Sequence, residues 1–341
     1  MANATLLHIG TRQGLVVASK PGTSPEWHIT RRTLDDQAIT AVVLGAALPL
    51  RLLAAVPAVG LFHSGNNGRD WLLSLPRDVA LLVADPRQPD RIYAALGPAT
   101  DAVAADDTGP AGPIMGTVDG GLSWQPLAPL PAAAARVLSL ALTAEGDGRI
   151  WVGLDAGGIL YSADGTRWQG LGLGLAPAIP VRALVAAGPD PSDLFAATPA
   201  GIYRLAAGQR ADDGAWKGTS LAWRLVGADT PPDIVQLLPI GRPPAPAAAA
   251  PAILAVDQDG GLWRGAGVGQ EWSWQALWPA GAQAAGPVQA TALAGHPHYP
   301  DRAYAATRAG RIYETRDRGT SWEDIHLAPG EVLSLAVQVI K

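Results

Sequence analysis

Thr117-Val118-Asp119-Gly120-Gly121-Leu122-Ser123-Trp124 and Thr315-Arg316-Asp317-Arg318-Gly319-Thr320-Ser321-Trp322 follow one pattern, S/T-x-D-x-G-x-S/T-W. Ser162-Ala163-Asp164-Gly165-Thr166-Arg167-Trp168 repeats it with one residue deleted, and Ser64-Gly65-Asn66-Asn67-Gly68-Arg69-Asp70-Trp71 carries Asn where the others have Asp. The chemistry of such a string is that of a tight hairpin. A short carboxylate accepts N–H groups from the turn around it, and Gly supplies positive φ. The indole that follows offers a wide apolar face for packing.

Outward from these strings, the Trp itself is periodic. Trp27, Trp71, Trp124, Trp168, Trp223, Trp274 and Trp322 stand 44, 53, 44, 55, 51 and 48 residues apart. Upstream, ADPRQPDRIYAAL (84–96), AGPDPSDLFAAT (187–198) and AGHPHYPDRAYAAT (294–307) read alike: a turn, then a short strand with Ala-Ala at its centre. A Gly with an apolar pair follows, as in Gly201-Ile202-Tyr203 and Gly261-Leu262-Trp263. Several short strands repeating every 40–50 residues or so is the signature of a β-propeller blade. Seven such units fill the 341 residues. The expected fold is all-β: one seven-bladed β-propeller of four-stranded antiparallel blades. The blades are placed at 4–34 plus 331–341, then 38–75, 78–128, 135–175, 180–228, 233–279 and 288–328.

The S/T-x-D-x-G-x-S/T-W string resembles the Asp-box, or BNR, repeat of sialidase-like, sortilin-like and photosystem-assembly-factor propellers, within the wider WD40/YVTN-like group. The resemblance covers nearly the whole chain, although the first, fifth and sixth units keep only the Gly and the Trp. It implies a hairpin between the two outer strands of a blade, away from the central channel. Asp119, Trp124, Asp164, Trp168, Asp317 and Trp322 are therefore expected to be structural.

The first unit has only three strands, LLHIGT, GLVVAS and WHITRRTL. The C-terminal run Val332–Ile340 resembles the innermost strands VLSLAL (137–142) and VRALVA (181–186). Residues 331–341 are thus expected to complete blade 1 and remove the open sheet edges. Three units carry extra residues: 97–111, with Asp101, Asp106 and Asp107; 206–222; and RPPAPAAAAP at 242–251. The first should overhang the channel mouth, the second should lengthen an outer hairpin, and the third should form an exposed loop, because proline cannot join a ladder.

Composition narrows the function. Hydrophobic residues make up 48% and charged residues 16%, enough for a sizeable core. The net charge of −5 argues against nucleic acid as a partner. The absence of Cys excludes disulfides, thiolate metal sites and a cysteine nucleophile. The apolar stretch 41–62 contains Arg51, Pro49 and Pro57 near its middle and aligns with repeat strands, so no membrane span is expected. No leader pattern precedes it, which places the protein in the cytoplasm if residue 1 is the native start; a chain whose leader had been removed would read the same.

The catalytic options are thin. A sialidase needs an arginine cluster, a Tyr–Glu pair and an acidic Asp, and that family's N-terminal F/Y-R-I-P motif is absent. Tyr93, Tyr203, Tyr304 and Tyr313 fall at repeat positions. Xyloglucanase-type glycanases set two such propellers face to face, and this chain has one. His296-Pro297-His298 is the only close His pair, and His296 aligns with turn positions Asp85 and Gly188, so no metal, cofactor or catalytic residue is assigned. The candidate binding residues lie in the short loops before the repeat glycines: Arg12, Asp155, Asp257 and Arg308. Arg12 and Arg308 belong to blades that become neighbours on closure and could together bind a carboxylate or phosphate. The expected function is a non-catalytic interaction or assembly platform, with a protein docking on the channel-mouth face. The alternative is a carbohydrate-active propeller, either a glycoside hydrolase or a lectin-like glycan binder.

Overall fold

The computed structural model describes residues 4–24, 26–45, 51–97, 114–131, 136–143, 149–156, 158–171, 174–176, 178–187, 194–206, 222–227, 229–241, 252–268, 271–278 and 288–340. The three insertions at 97–111, 206–222 and 242–251 fall almost wholly outside them. The described residues form seven four-stranded antiparallel sheets and no helix. Six sheets are built from consecutive strands. The seventh, blade 1, runs in the order β28 (Val332–Ile340), β1 (Ala4–Thr11), β2 (Gly14–Pro21), β3 (His28–Thr33). The C-terminal strand is therefore its innermost, in register from Ala4 opposite Ile340 to Gly10 opposite Ser334, with a shift before Thr11 meets Val332.

The core is divided into seven hydrophobic clusters, and each draws on two adjacent sheets. One joins Leu7, Ile9 and Val332 of blade 1 to Tyr304, Ala306 and Ile312 of blade 7, which closes the ring. This arrangement explains the sequence of the second strands. β9 (Ile92–Leu96), β17 (Leu194–Thr198) and β25 (Ala303–Thr307) are buried at every position because a neighbouring sheet covers each face. Their central Ala-Ala pairs let those sheets approach closely. The outermost strands β11 (Gln125–Pro126) and β27 (Glu323–Asp324) have only two residues each and are largely exposed.

Closure uses the same device as an ordinary blade junction. Ser334 on β28 donates its hydroxyl to the Ile39 carbonyl of blade 2 at 3.0 Å. Ser139, at the matching position of β12 (Val137–Leu142), donates to Val181 of blade 5 at 2.9 Å. Each serine lies against a glycine on the next strand. A Cβ on Gly10 would stand 2.1 Å from the Ser334 Oγ, and one on Gly153 would stand 2.3 Å from the Ser139 Oγ.

Candidate functional site

Strand direction gives the ring two unlike faces. Within each blade the first strand begins, and the second-to-third turn lies, at one mouth of the channel; the third-to-fourth hairpin lies on the underside. At the mouth one backbone bond recurs. The turn residue donates its N–H to the carbonyl of the residue leading into the innermost strand: Arg12 to Glu331, Gly97 to Asp78, Asp155 to Arg136, Gln258 to Asp233 and Arg308 to Gln289, at 2.9–3.2 Å. Four of these five blades thus hold two channel-mouth side chains next to each other on fixed backbone; in blade 3 the turn residue is Gly97, and Asp78 supplies the one side chain.

The predicted binding residues fall into this frame with different degrees of freedom. Arg12 is committed to Glu331, its Nε 2.6 Å from the carboxylate, and that bond with the attendant charge pushes the guanidinium pKa upward. Asp155 accepts the Arg136 N–H at 2.8 Å. Asp257 is consumed by its own turn: it accepts from Asp259 and Gly261, and its other oxygen accepts the Trp263 indole N–H at 2.8 Å. Arg308 is exposed and forms no ion pair among the described residues. The closure contact runs beside it, since a Cβ on Gly310 would meet the Gly330 carbonyl at 2.6 Å, next to Glu331. The arginines of blades 1 and 7 therefore do share one stretch of rim, but Arg12 already has its carboxylate. Sequence reasoning missed Arg182, which reaches Asp233 at 2.7 Å and Gln258 at 3.3 Å and so ties blade 5 to blade 6. Its Val-Arg context is that of an innermost strand, with no charge motif to mark it.

On the underside, the repeated hairpins join third and fourth strands. Asp119 accepts the N–H groups of Leu122 and Ser123 at 2.9 and 3.0 Å and the hydroxyls of Thr117 and Ser123 at 2.6 Å. Partial burial pushes its carboxyl up, but these hydrogen bonds outweigh it and hold the pKa well below the usual range. Asp317 is bound in the same way by Ser321 and Thr315, and Asp164 by Thr166. The Thr117 hydroxyl in turn accepts the N–H of Gly121, whose φ is 96°. The periodic Trp then fastens blade to blade. Indole N–H groups of Trp71, Trp124, Trp168, Trp223 and Trp274 donate to Thr33, Ser74, Ala128, Leu171 and Val226 of the preceding blade, at 2.7–3.1 Å.

The Tyr304 hydroxyl donates to Glu314 at 3.2 Å, but Tyr304 is 1% exposed, and burial together with the Glu314 charge pushes its pKa far up. His296 spends its Nδ1 on the N–H groups of His298 and Tyr299, the turn role that its alignment with Asp85 suggests. Among the described residues no cluster of three or more His, Asp or Glu could hold a metal ion, and no helix is long and apolar enough to cross a membrane.

No protein-family profile and no curated protein sequence matches the chain. Solved structures match it by fold. An ancestral GH74 enzyme covers 95% of this chain and 47% of its own length, at a TM-score of 0.58 and 16% identity. The GH74 xyloglucanase from Xanthomonas campestris covers 94% and 58%, at 0.52 and 18%. AztD from Citrobacter koseri matches over 99% of both chains at 0.57 and 11%, and the Swd1 β-propeller domain from Myceliophteria thermophila over 90% and 96% at 0.56 and 13%. The chain spans about half the length of the GH74 enzymes. At these identities the likeness is one of fold, shared by enzymes and by other propellers.

Proposed function

We propose that the chain is a non-catalytic docking platform, an Asp-box propeller whose channel-mouth face receives a protein partner. The observation that supports this reading is the ring of paired mouth positions. Arg12, Arg136 and Arg308 stand there with Glu331, Asp78, Asp155 and Asp233 on backbone held by the recurring bond between turn and lead-in, and Arg182 joins them through its ion pair with Asp233. Interleaved charge on a rigid rim suits a polar protein contact, in which complementarity sets orientation and association rate. A glycan site would favour exposed aromatic rings, and among the described residues the one aromatic in the exposed large apolar set, Tyr299 at 50%, lies on the underside.

The informative substitution is Arg308→Glu. Arg12→Glu would set a second anion against Glu331 and perturb the closure seam as well as the rim. Co-purification from the native host, followed by titration of the recovered partner, should show Arg308→Glu weakening the complex at least several-fold. The melting temperature should stay within about 1–2 °C, since an exposed loop charge contributes little stability. Undiminished binding by this variant, or turnover of a glycan by the purified protein, would overturn the reading.

A further inference from the structure

The underside seam between blades 7 and 1 encloses a cavity of about 610 Å³, within the range of small-ligand sites. Blade 1 contributes Lys20; blade 7 contributes His296, His298, Arg302, Glu314 and Arg316. Three cations, one carboxylate and two histidines thus converge in a molecule whose net charge is −5. The carboxylate is already satisfied. Glu314 is 3% exposed and accepts from Tyr304 at 3.2 Å and from Arg316 at 2.6 and 3.1 Å. Lys20 stands 3.8 Å from it. Arg302 forms no ion pair among the described residues; its guanidinium lies 4.4 Å from the Tyr299 ring centre. Asp301, next in the chain, is turned to Arg318 at 2.5 Å. With Glu314 matched by Arg316, Lys20 and Arg302 leave the cavity with surplus positive charge.

His296 supplies the second observation. It is 5% exposed, and its Nδ1 accepts the N–H groups of His298 and Tyr299 at 3.2 and 3.1 Å. That nitrogen is therefore unprotonated, and the ring hydrogen sits on Nε2. Burial, with the charges of Arg302 and His298, holds the pKa down to about 4, so the ring is neutral at pH 7. Nε2 is a buried donor with no acceptor among the described residues, an arrangement that costs about 1–3 kcal/mol when left unpaired. The turn does not demand this residue. Asp85, at the same place in blade 3, caps the equivalent turn through Arg87 and Gln88 with a carboxylate. A histidine here replaces a negative cap with a neutral one in the wall of a cationic cavity.

We infer that this seam cavity binds a small organic oxyanion, a ligand bearing a phosphate or carboxylate group, with Lys20 and Arg302 as its counter-charges and His296 Nε2–H as its neutral donor. The inference is independent of docking at the channel mouth, which lies on the opposite face.

Isothermal titration at low ionic strength with inorganic phosphate, glucose 6-phosphate and glucuronate tests it and separates the two anion sources. At least one should bind at one site per chain. Lys20→Ala with Arg302→Ala should weaken that binding at least tenfold. His296→Asn, which keeps an acceptor for the turn, should weaken it several-fold, and Arg308→Glu should leave it unchanged. Nitrogen-15 spectra of the wild-type imidazoles give a readout that needs no variant: His296 should be the Nε2–H tautomer, and its resonance should move on titration. No binding by any of the three anions, equal binding by the variants, or an Nδ1–H tautomer overturns the inference.

Discussion

Blades 3 and 7 are built on one template, and they differ where chemistry is possible. In both, a turn residue caps the first-to-second connection, Asp85 in one and His296 in the other. In both, a buried tyrosine sits on the second strand, Tyr93 and Tyr304. In both, the underside hairpin is pinned to that connection by the same backbone bond, Gly120 to Asp90 and Arg318 to Asp301. Opposite the tyrosine, however, blade 3 has Gly116 and blade 7 has Glu314. Two residues on, Val118 faces solvent in blade 3 while Arg316 clamps Glu314 in blade 7. The backbone fixes which positions meet, and a few substitutions at those positions decide whether the meeting place is inert or charged.

The comparison breaks most completely if blade 7 loses the neighbour that walls its cavity. Removing residues 331–341 takes away β28, its register with β1 and the fully buried Val332. The truncated chain should be insoluble or lack a cooperative melt, whereas full-length protein should melt cooperatively; calorimetry and size-exclusion chromatography distinguish them. Next in size is the charge that blade 3 lacks. Glu314→Ala strands the Tyr304 hydroxyl and leaves Arg316 unpaired, and should cost about 2–4 kcal/mol by denaturant unfolding. The reciprocal Gly116→Ala meets Leu127 and Tyr93 side chains at 3.3–3.5 Å and should stay within about 1 kcal/mol.

The shared hairpins should behave alike in both blades. Asp119→Ala and Asp317→Ala each remove several turn hydrogen bonds and should each cost about 1–2 kcal/mol, additively because the sites lie in separate blades. Both carboxyls have folded pKa values below the ordinary one, so the stability they confer is present above about pH 4 and is lost as pH falls further. A pH-dependent effect of its own belongs to His296. Its unfolded form takes up a proton below about pH 6.5, while the folded form resists until about pH 4. Stability should therefore decline as pH drops through that window and level off beneath it. His296→Asn should show a shallower decline; His8, also held to about 4 by burial, and His63, whose pKa burial also lowers, should supply the remainder. Urea midpoints measured at pH 7, 5.5 and 4 check the sign.

These contrasts also mark where sequence reasoning reaches and where it stops. The ring was legible because its parts recur: the hairpin string, the spaced Trp and the Ala-Ala strands are local patterns, each repeated enough to align. Even the role of His296 in its turn followed from alignment with Asp85. What pairs across the ring was not legible. Arg12 meets Glu331 across 319 residues of chain, and Asp257 gives its second oxygen to Trp263 rather than to solvent. No periodicity announces such contacts, because each depends on the rotamer and reach of one side chain. The seam cavity escaped for the same reason. Lys20 and Arg302 stand in separate repeats, and only closure of the ring brings them to one place.

The pairing of β1 with β28 also has a temporal side. Two strands separated by the other six blades in sequence, Ala4–Thr11 and Val332–Ile340, must find each other before blade 1 has an innermost strand. During synthesis the first three strands of that blade wait, with one ladder edge unpaired, until Val332–Ile340 has left the ribosome. Contacts of such sequence separation are slow to form, and an edge left open meanwhile is an invitation to pair with another chain. Refolding from denaturant should accordingly be slower than for a helical protein of similar length, and its yield should fall as protein concentration rises.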